Sequence, residues 1–222
     1  MGSSIKASKE NNKENESAKP NPLIESLKSD YFLRKLYNNM TIKKKLEIVN
    51  YNKKIQNRIN LSIKDYKEYS ETYSSIEIEI KPTKDKYGKF INIKKNDKLY
   101  YHIYFNDNKE KIKNKYFTYF KREEDKVTKI KIIIDYQVKS FQKLFYYCEC
   151  IESINFKNFY RNNITDMSWM FSYCSSLKEL NLNNFNTNNV TNIIWMFRGC
   201  SDDLKIKIKS KNKNIKDEAF YD

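Results

Sequence analysis

The sequence predicts an α+β chain in which a helical segment and an antiparallel β segment precede a short solenoid of repeated coils. Three observations predict this fold. Apolar residues recur at helical spacing early in the chain, they alternate with polar residues in its middle, and its last third repeats every 26 residues. These patterns are typical of amphipathic helices, of half-buried strands and of a repeat architecture.

Composition excludes several classes of function. The 222 residues contain three glycines, Gly2, Gly88 and Gly199, and no two of them are close together. Phosphate-binding loops need clustered glycines, because backbone N–H groups must approach the phosphate. A single histidine, His102, leaves histidine-based metal sites and most catalytic triads without their usual members. We therefore expect a non-enzymatic protein with no catalytic residues, no cofactor and no metal.

The net charge of +15 is unevenly distributed, and +12 of it lies in residues 23–139. Such a basic excess can attract nucleic acid or an anionic membrane surface. Lysine outnumbers arginine 38 to 5, however, and arginine is preferred for bidentate phosphate and base contacts. A solvated lysine surface is the favoured interpretation, and a protein that binds nucleic acid or a membrane surface is the alternative.

Residues 1–22 are polar and charged, and we expect a disordered tail. The tail lacks the apolar core of a signal peptide, and the sequence has no apolar stretch of about 20 residues that would span a membrane. An intracellular, cytoplasmic protein is expected. The first residues approximate a myristoylation signal at Gly2, but Lys6 stands where that pattern has serine or threonine.

Residues 23–74 are predicted to be helical. Leu23, Ile24 and Leu27 begin an apolar stripe, and either Ser29 or Asp30 can cap a following helix. This segment also carries a basic patch, which is either a docking surface for an acidic partner or a solvated helix face. Its members are Lys43, Lys44, Lys45, Lys53, Lys54 and Arg58.

Residues 75–137 are predicted to form an antiparallel β segment that ends in an upstream cap for the solenoid. Ile76, Ile78 and Ile80 alternate with glutamates, and turn-forming residues separate this run from later strand-like runs. His102 falls in one of these runs and is interpreted as a strand residue rather than a catalytic base.

The 26-residue period is the strongest signal in the chain. Within each unit, apolar residues at alternating positions suit a short strand, and a polar turn then leads to apolar residues at helical spacing after Thr165 or Thr191. One strand and one short helix per unit predict a leucine-rich-repeat solenoid over residues 138–208. The predicted repeat core consists of Cys148, Cys174, Cys200, Phe145, Phe171, Phe197, Leu177, Leu180 and Leu182.

Residues 209–222 are predicted to form a C-terminal cap, interpreted as helical. Asp202 and Asp203 can start a helix at this end of the chain. The alternation of Leu204, Ile206 and Ile208 favours a strand instead, and the two alternatives stay open.

The segment 171–191, FSYCSSLKELNLNNFNTNNVT, resembles the BspA-type leucine-rich repeat, the 26-residue "surface protein" repeat of bacteria and protists. The resemblance covers about residues 138–208 and implies a strand-and-helix solenoid with no catalytic residues and a role in adhesion or protein–protein interaction. Bacterial members are usually exported, whereas this sequence shows no export signal and is more similar to an intracellular protist relative.

The helices predicted before the repeats show a faint resemblance to an F-box. Leu33, Leu36 and the run KLEIV at 45–49 carry it, although the usual Leu-Pro start is absent. This resemblance implies a substrate adaptor of a ubiquitin ligase.

The cysteines and tryptophans have two interpretations each. Cys148, Cys174 and Cys200 share one repeat position, so they are expected to stack as small buried apolar groups rather than bind a metal. Trp169 and Trp195 also share a position, and packing is favoured over an exposed aromatic platform.

The predicted function is recognition of a protein partner through the leucine-rich-repeat surface. Exposed positions on successive repeat strands would lie side by side and contact the partner. These candidate residues are Glu152, Ser153, Asn155, Lys178, Glu179 and Asn181.

Overall fold

The computed structural model describes residues 26–49, 52–106, 108, 119–120, 127–182, 185 and 187–221. The predicted tail 1–22, with Gly2, lies outside the described residues, and so does most of the predicted upstream cap before residue 127. The chain divides into two compact units, Met1–Tyr66 and Lys67–Asp222.

Three short helices lie in the described part of the first unit, α1 (Asp30–Asn38), α2 (Ile42–Val49) and α3 (Lys53–Arg58). The Ser29 hydroxyl accepts the Phe32 N–H, and the Asn52 side chain accepts the Ile55 N–H, so each side chain satisfies an otherwise unpaired donor of a first helical turn. The helices share a small buried core formed by Leu33, Tyr37, Val49 and Ile55.

The helix α4 (Ile63–Tyr73) leads into the second unit, which is built on a five-stranded mixed sheet. The strands of the unit are β1 (Ile76–Pro82), β2 (Gly88–Lys89), β3 (Tyr101–Phe105), β4 (Tyr119–Phe120), β5 (Ile130–Ile134), β6 (Ile151–Asn158) and β7 (Glu179–Asn181). The strand order of the five-stranded sheet is β3-β5-β1-β6-β7. Neighbouring strands are antiparallel except for the parallel pair β6 and β7. A separate two-stranded sheet pairs β2 with β4.

Side-chain alternation decides which face of this sheet is buried. Ile76, Ile78 and Ile80 of β1 are fully buried, and the intervening Glu77 and Glu79 lie on the opposite, outer face. The same alternation holds along β5, whose isoleucines at 130, 132 and 134 are buried beside those of β1. The inner face therefore presents β-branched apolar side chains to the main core, as expected for a pleated, half-buried strand.

The repeated segments lie against each other at the predicted 26-residue offset. Parallel bridges join Ser140 to Asp166 and Asp166 to Asn192. The Phe171 ring stacks between those of Phe145 and Phe197, with centroid distances of 5.6 and 5.5 Å. Sequence periodicity thus corresponds to a stacked arrangement of equivalent core side chains.

The prediction of a leucine-rich-repeat solenoid is nevertheless wrong. The second unit is an α+β fold with one mixed five-stranded sheet, in which β6 pairs antiparallel with the distant strand β1. The segments after Thr165 and Thr191 are runs of turns rather than helices, since Trp169, Tyr173 and Trp195 have positive φ angles that an α-helix does not allow. Because long-range antiparallel pairing dominates the sheet, the repeats do not form a strand-and-helix array.

The C-terminal region contains α5 (Asp202–Lys211) and a 3₁₀ turn (Asp217–Ala219). The Ser201 hydroxyl accepts the Leu204 N–H, and two aspartates in the first turn favour the helix start through the helix dipole. Leu204 and Ile208, four residues apart, are buried on one side, whereas Ile206 is 67% exposed. The strand suggested by their alternation is therefore not formed.

Candidate binding groove

The parallel pairing of β6 with β7 brings the predicted partner-binding residues together. Ser153 lies opposite Glu179, and Asn155 lies opposite Asn181. Four of the six candidate residues therefore occupy adjacent positions on two neighbouring strands, at the β7 end of the sheet.

These residues line a groove of about 780 Å³, here called the β6–β7 groove. Residues of α5 line the same groove, so the helix and the sheet end face it together. Apolar side chains contribute to the lining alongside charged and polar ones. The lining residues are Glu79, Ile80, Lys81, Thr128, Lys129, Ser153, Ile154, Asn155, Lys178, Glu179, Leu180, Asn181, Leu182, Leu204, Lys207, Ile208, Lys211 and Asn212.

Another candidate residue, Glu152, forms ion pairs with two lysines of the groove. Its carboxylate lies 2.8 Å from the Lys81 ammonium and 3.7 Å from that of Lys178. The hydrogen bond from Lys81 is the main cause that lowers the pKa of Glu152 below its usual value. Glu152 is therefore held ionised and acts within the protein as a counter-ion.

Glu79 is a second internal counter-ion, on the neighbouring strand β1. Its carboxylate pairs with Lys157 at 2.5 Å and with Lys129 at 3.4 Å, and Lys157 is the main cause that lowers its pKa. These cross-strand pairs hold opposite charges at neighbouring positions of the outer face, the arrangement that stabilises a sheet surface.

The lysines of α5 differ from those of the sheet. Lys207 and Lys211 are exposed, lie four residues apart and line the groove together. Among the residues that the structure describes, neither forms an ion pair. Five lysines and two glutamates line the groove, so its net charge is positive.

The predicted basic-patch residues of the first unit differ in their surroundings. Arg58 is only 18% exposed, because its guanidinium pairs with Asp30 at 2.7 Å and also bonds the Leu27 carbonyl. Lys43 and Lys44 each approach Glu47 within 4 Å on α2. Lys53 and Lys54 are exposed at the start of α3.

The repeat-core cysteines are buried thiols that form no disulfide with any residue that the structure describes. The thiols of Cys174 and Cys200 donate to the carbonyls of Phe145 and Phe171, at 3.0 and 3.1 Å. Burial raises the pKa of the Cys148 and Cys174 thiols well above the ordinary value. Leucines at 177 and 182 are also buried, whereas the predicted core residue Leu180 is half-buried and lines the groove.

His102 lies on β3, and its Nε2 is 3.0 Å from a carboxylate oxygen of Asp135. The described residues contain no group of three or more His, Cys, Asp or Glu side chains that could hold a metal ion. Among those same residues, no helix combines the length and apolar character needed to cross a membrane.

The repeats also form an aromatic cluster that the sequence alone does not reveal. Tyr146, Tyr147, Trp169, Tyr173 and Trp195 contact one another through ring distances of 4.5–6.0 Å. The shared 26-residue offset of the two tryptophans was the available signal. It indicated adjacency, but not that the rings would lie at left-handed turns beside cationic side chains.

Comparison with known families corrects the resemblance drawn from the repeat. The family model described as "Mycoplasma protein of unknown function, DUF285" matches residues 114–218. The BspA-type assignment is therefore wrong, since the matched family is a different one. The match does not include the helices at 23–70, and it lends no support to the F-box-like interpretation.

No curated protein and no solved structure matches this chain. The family description states no function, so function must be inferred from the site itself.

Proposed function

We propose that this chain is a non-catalytic interaction protein that binds an acidic segment of a protein partner in the β6–β7 groove. One observation carries the proposal: two lysines of α5 without ion-pair partners among the described residues face the polar residues of β6 and β7 across one groove.

The chemistry of the groove suits a peptide. Ser153 and Asn155 offer hydroxyl and amide groups that can both donate and accept hydrogen bonds. Ile154 and Leu180 add apolar surface between these polar positions. A peptide backbone needs such donors and acceptors when it leaves water, because an unpaired buried polar group is costly.

The charges of the groove favour acidic side chains. Glu79 and Glu152 each contact two lysines, so their repulsion of an incoming carboxylate is largely offset. Glu179, the other glutamate of the lining, interacts electrostatically with Lys81. Lys207 and Lys211 have no such internal counter-charge among the described residues. Complementary charge across an interface increases the association rate and selects against partners of the wrong sign.

NMR titration of the isotope-labelled full chain tests this proposal. The probe is a peptide of about ten glutamates. This peptide is long enough to cross both β6 and β7, because neighbouring strands lie about 5 Å apart. A glycine–serine peptide of equal length serves as the neutral comparison. We expect amide shifts to concentrate in β6, β7 and α5 with the acidic peptide only.

The double variant K207E/K211E should weaken binding of the acidic peptide at least tenfold, which corresponds to about 1.4 kcal/mol for the pair. The matched control is K94E/K95E, which makes the same change in net charge at lysines outside the groove. Equal weakening in both variants would show that the peptide responds to overall charge alone, and the proposal would then be wrong.

A further inference from the structure

Left-handed backbone recurs at two positions of the 26-residue repeat. A side chain with a Cβ rarely adopts a positive φ angle, because the Cβ then approaches the following carbonyl oxygen. Bulky residues at such angles are genuine outliers. The residues are Lys143 (59°), Trp169 (58°) and Trp195 (53°) at the first position, and Tyr147 (55°), Tyr173 (58°) and Gly199 (66°) at the second.

Glycine would remove this strain, and Gly199 shows that one repeat uses it. The other repeats place tyrosine at the same position. Strained backbone is often retained where a side chain has a functional task. The turn geometry alone therefore does not explain why aromatic residues occupy these positions.

These side chains form one partly exposed surface, the aromatic cluster of Tyr146, Tyr147, Trp169, Tyr173 and Trp195. Tyr147 and Tyr173 are stacked, with centroids 4.5 Å apart and an interplanar angle of 15°. The two tryptophan rings lie 4.7 Å apart. Tyr147 is 49% exposed, so its ring is the most open member of the cluster.

Two cations lie over the rings. The Lys143 ammonium is 5.4 Å from the Tyr146 ring centre, and the Arg198 guanidinium is 5.6 and 5.7 Å from the centres of Trp169 and Trp195. Neither cation forms a salt bridge within the residues that the structure describes. The surface thus combines aromatic rings with positive charge that has no carboxylate partner there.

We propose that the aromatic cluster, with Lys143 and Arg198, is a binding site for single-stranded nucleic acid. A base stacks on the half-exposed Tyr147 ring, and phosphates of neighbouring nucleotides meet the two cations. Rings of the cluster already contact one another, so bases stack on the outside of the cluster rather than between its members.

Three features favour this ligand. Every nucleobase has a π-face, so stacking tolerates different sequences. Phosphates complement the two cations, whereas a neutral sugar or a proline-rich peptide gains nothing from them. The arginine also presents a planar guanidinium, which suits phosphate contacts better than a lysine ammonium does.

Tryptophan fluorescence tests the proposal directly, because the only two tryptophans of the sequence, Trp169 and Trp195, both belong to the cluster. The probe is an oligothymidylate of about ten nucleotides, within the usual site size for such proteins. The full chain should show saturable quenching in about 0.15 M salt. Inorganic polyphosphate of similar charge, which has no bases, should bind more weakly and leave the fluorescence unchanged.

Variants identify the site. Tyr147→Asn should weaken oligonucleotide binding about tenfold, within the range for loss of one stacking contact. Arg198→Gln should also weaken it about tenfold, through loss of a charged hydrogen bond to phosphate. Asparagine tolerates left-handed backbone, so the first variant keeps the turn. The matched control is Tyr87→Asn, which removes a tyrosine that is 42% exposed elsewhere. Unchanged melting temperatures establish that each variant is folded.

A gain-of-affinity variant separates this site from general charge effects. Glu149 is a carboxylate that acts electrostatically on Tyr147. Glu149→Gln should tighten oligonucleotide binding, whereas Glu218→Gln should change it less. Equal affinity in the wild type, Tyr147→Asn and Arg198→Gln overturns the proposal. Equal quenching by polyphosphate, or quenching by phosphatidylserine vesicles or polyproline but not by the oligonucleotide, overturns it as well.

Discussion

Replacing Arg161 with methionine should destabilise the unit Lys67–Asp222 by about 3 kcal/mol. The Arg161 side chain is completely buried, yet no carboxylate contacts its guanidinium among the described hydrogen bonds and ion pairs. Nη1 donates to the Asp135 carbonyl at 2.8 Å, Nη2 donates to the Val138 carbonyl, and Nε donates to the Asn163 side chain at 2.9 Å. Arg161 therefore joins the turn that follows β5 to the loop that follows β6.

Two opposing effects determine how much stability the Arg161→Met variant loses. Methionine would leave one buried acceptor and two part-buried acceptors without their donor, at a cost of about 1–3 kcal/mol each, or about 6 kcal/mol together. Removal of the buried charge offsets some of this loss. Burial lowers the pKa of the guanidinium to about 10. A lowering of this size corresponds to about 3 kcal/mol of unfavourable charge burial, so the net loss is about 3 kcal/mol.

Urea unfolding followed by tryptophan fluorescence measures this loss, because both tryptophans lie in this unit. A parallel thermal melt should show a decrease of about 10 °C for a chain of this size. Arg161→Lys keeps the charge but cannot reach three acceptors with a planar fork, so it should fall between the wild type and Arg161→Met. Lys84→Met, at an exposed position, is the control.

A loss below about 1 kcal/mol in Arg161→Met would refute this reasoning, because the three acceptors would then be satisfied without the guanidinium. Equal losses in the lysine and methionine variants would show that fork geometry does not contribute to the effect.

Three further predictions concern the same unit. Glu79→Gln should lower the free energy of unfolding by about 1 kcal/mol at pH 7. Because the folded-state pKa of Glu79 is lowered, the difference from wild type in urea unfolding should be complete above the ordinary pKa of 4.5. The difference should vanish as the pH falls through the folded-state pKa. Gly199→Ala should lower the free energy of unfolding by about 2 kcal/mol in the same assay. The residue has φ +66°, and a Cβ would lie 2.5 Å from the Tyr173 ring. An unchanged free energy would mean that the ring shifts freely. The four cysteine thiols of the native protein should resist an aromatic disulfide reagent at pH 8, and all four should react in urea. Burial raises the pKa of Cys150 to about 12 and those of Cys148 and Cys174 well above 9. Rapid reaction of the native protein would contradict the buried placement.

Local patterns in the sequence correctly predicted a buried strand face and a helix cap. The alternation at Ile76, Ile78 and Ile80 predicted one buried face of a strand, and these three side chains are fully buried. The serine at position 29 was one of two predicted helix caps, and its hydroxyl accepts the Phe32 N–H. Both features follow from backbone geometry over a few residues.

The 26-residue repeat shows that sequence periodicity does not predict every feature of the structure. The 26-residue offset predicted that Phe145, Phe171 and Phe197 would occupy equivalent places, and their rings are stacked. The same offset was then interpreted as a strand and a helix per unit, which is wrong. Periodicity reports the length of each repeated segment, but it does not report the backbone conformation within the segment.

The candidate groove required tertiary information in the same way. The candidate residues of β6 and β7 were named from their repeat positions, and the parallel register brings them together. Lys207 and Lys211 were absent from that set, because they belong to a helix whose place beside the groove depends on the buried contacts of Leu204 and Ile208.

By itself, the sequence determined which side chains are buried along β1 and which positions of the repeat are equivalent, because both follow from a regular spacing of residues. Only the tertiary structure decided that β6 pairs antiparallel with β1, that aromatic residues occupy left-handed turns, and that α5 lines the groove. Those outcomes depend on contacts between residues far apart in the chain, where loop-closure entropy must be offset by burial that no local pattern reveals.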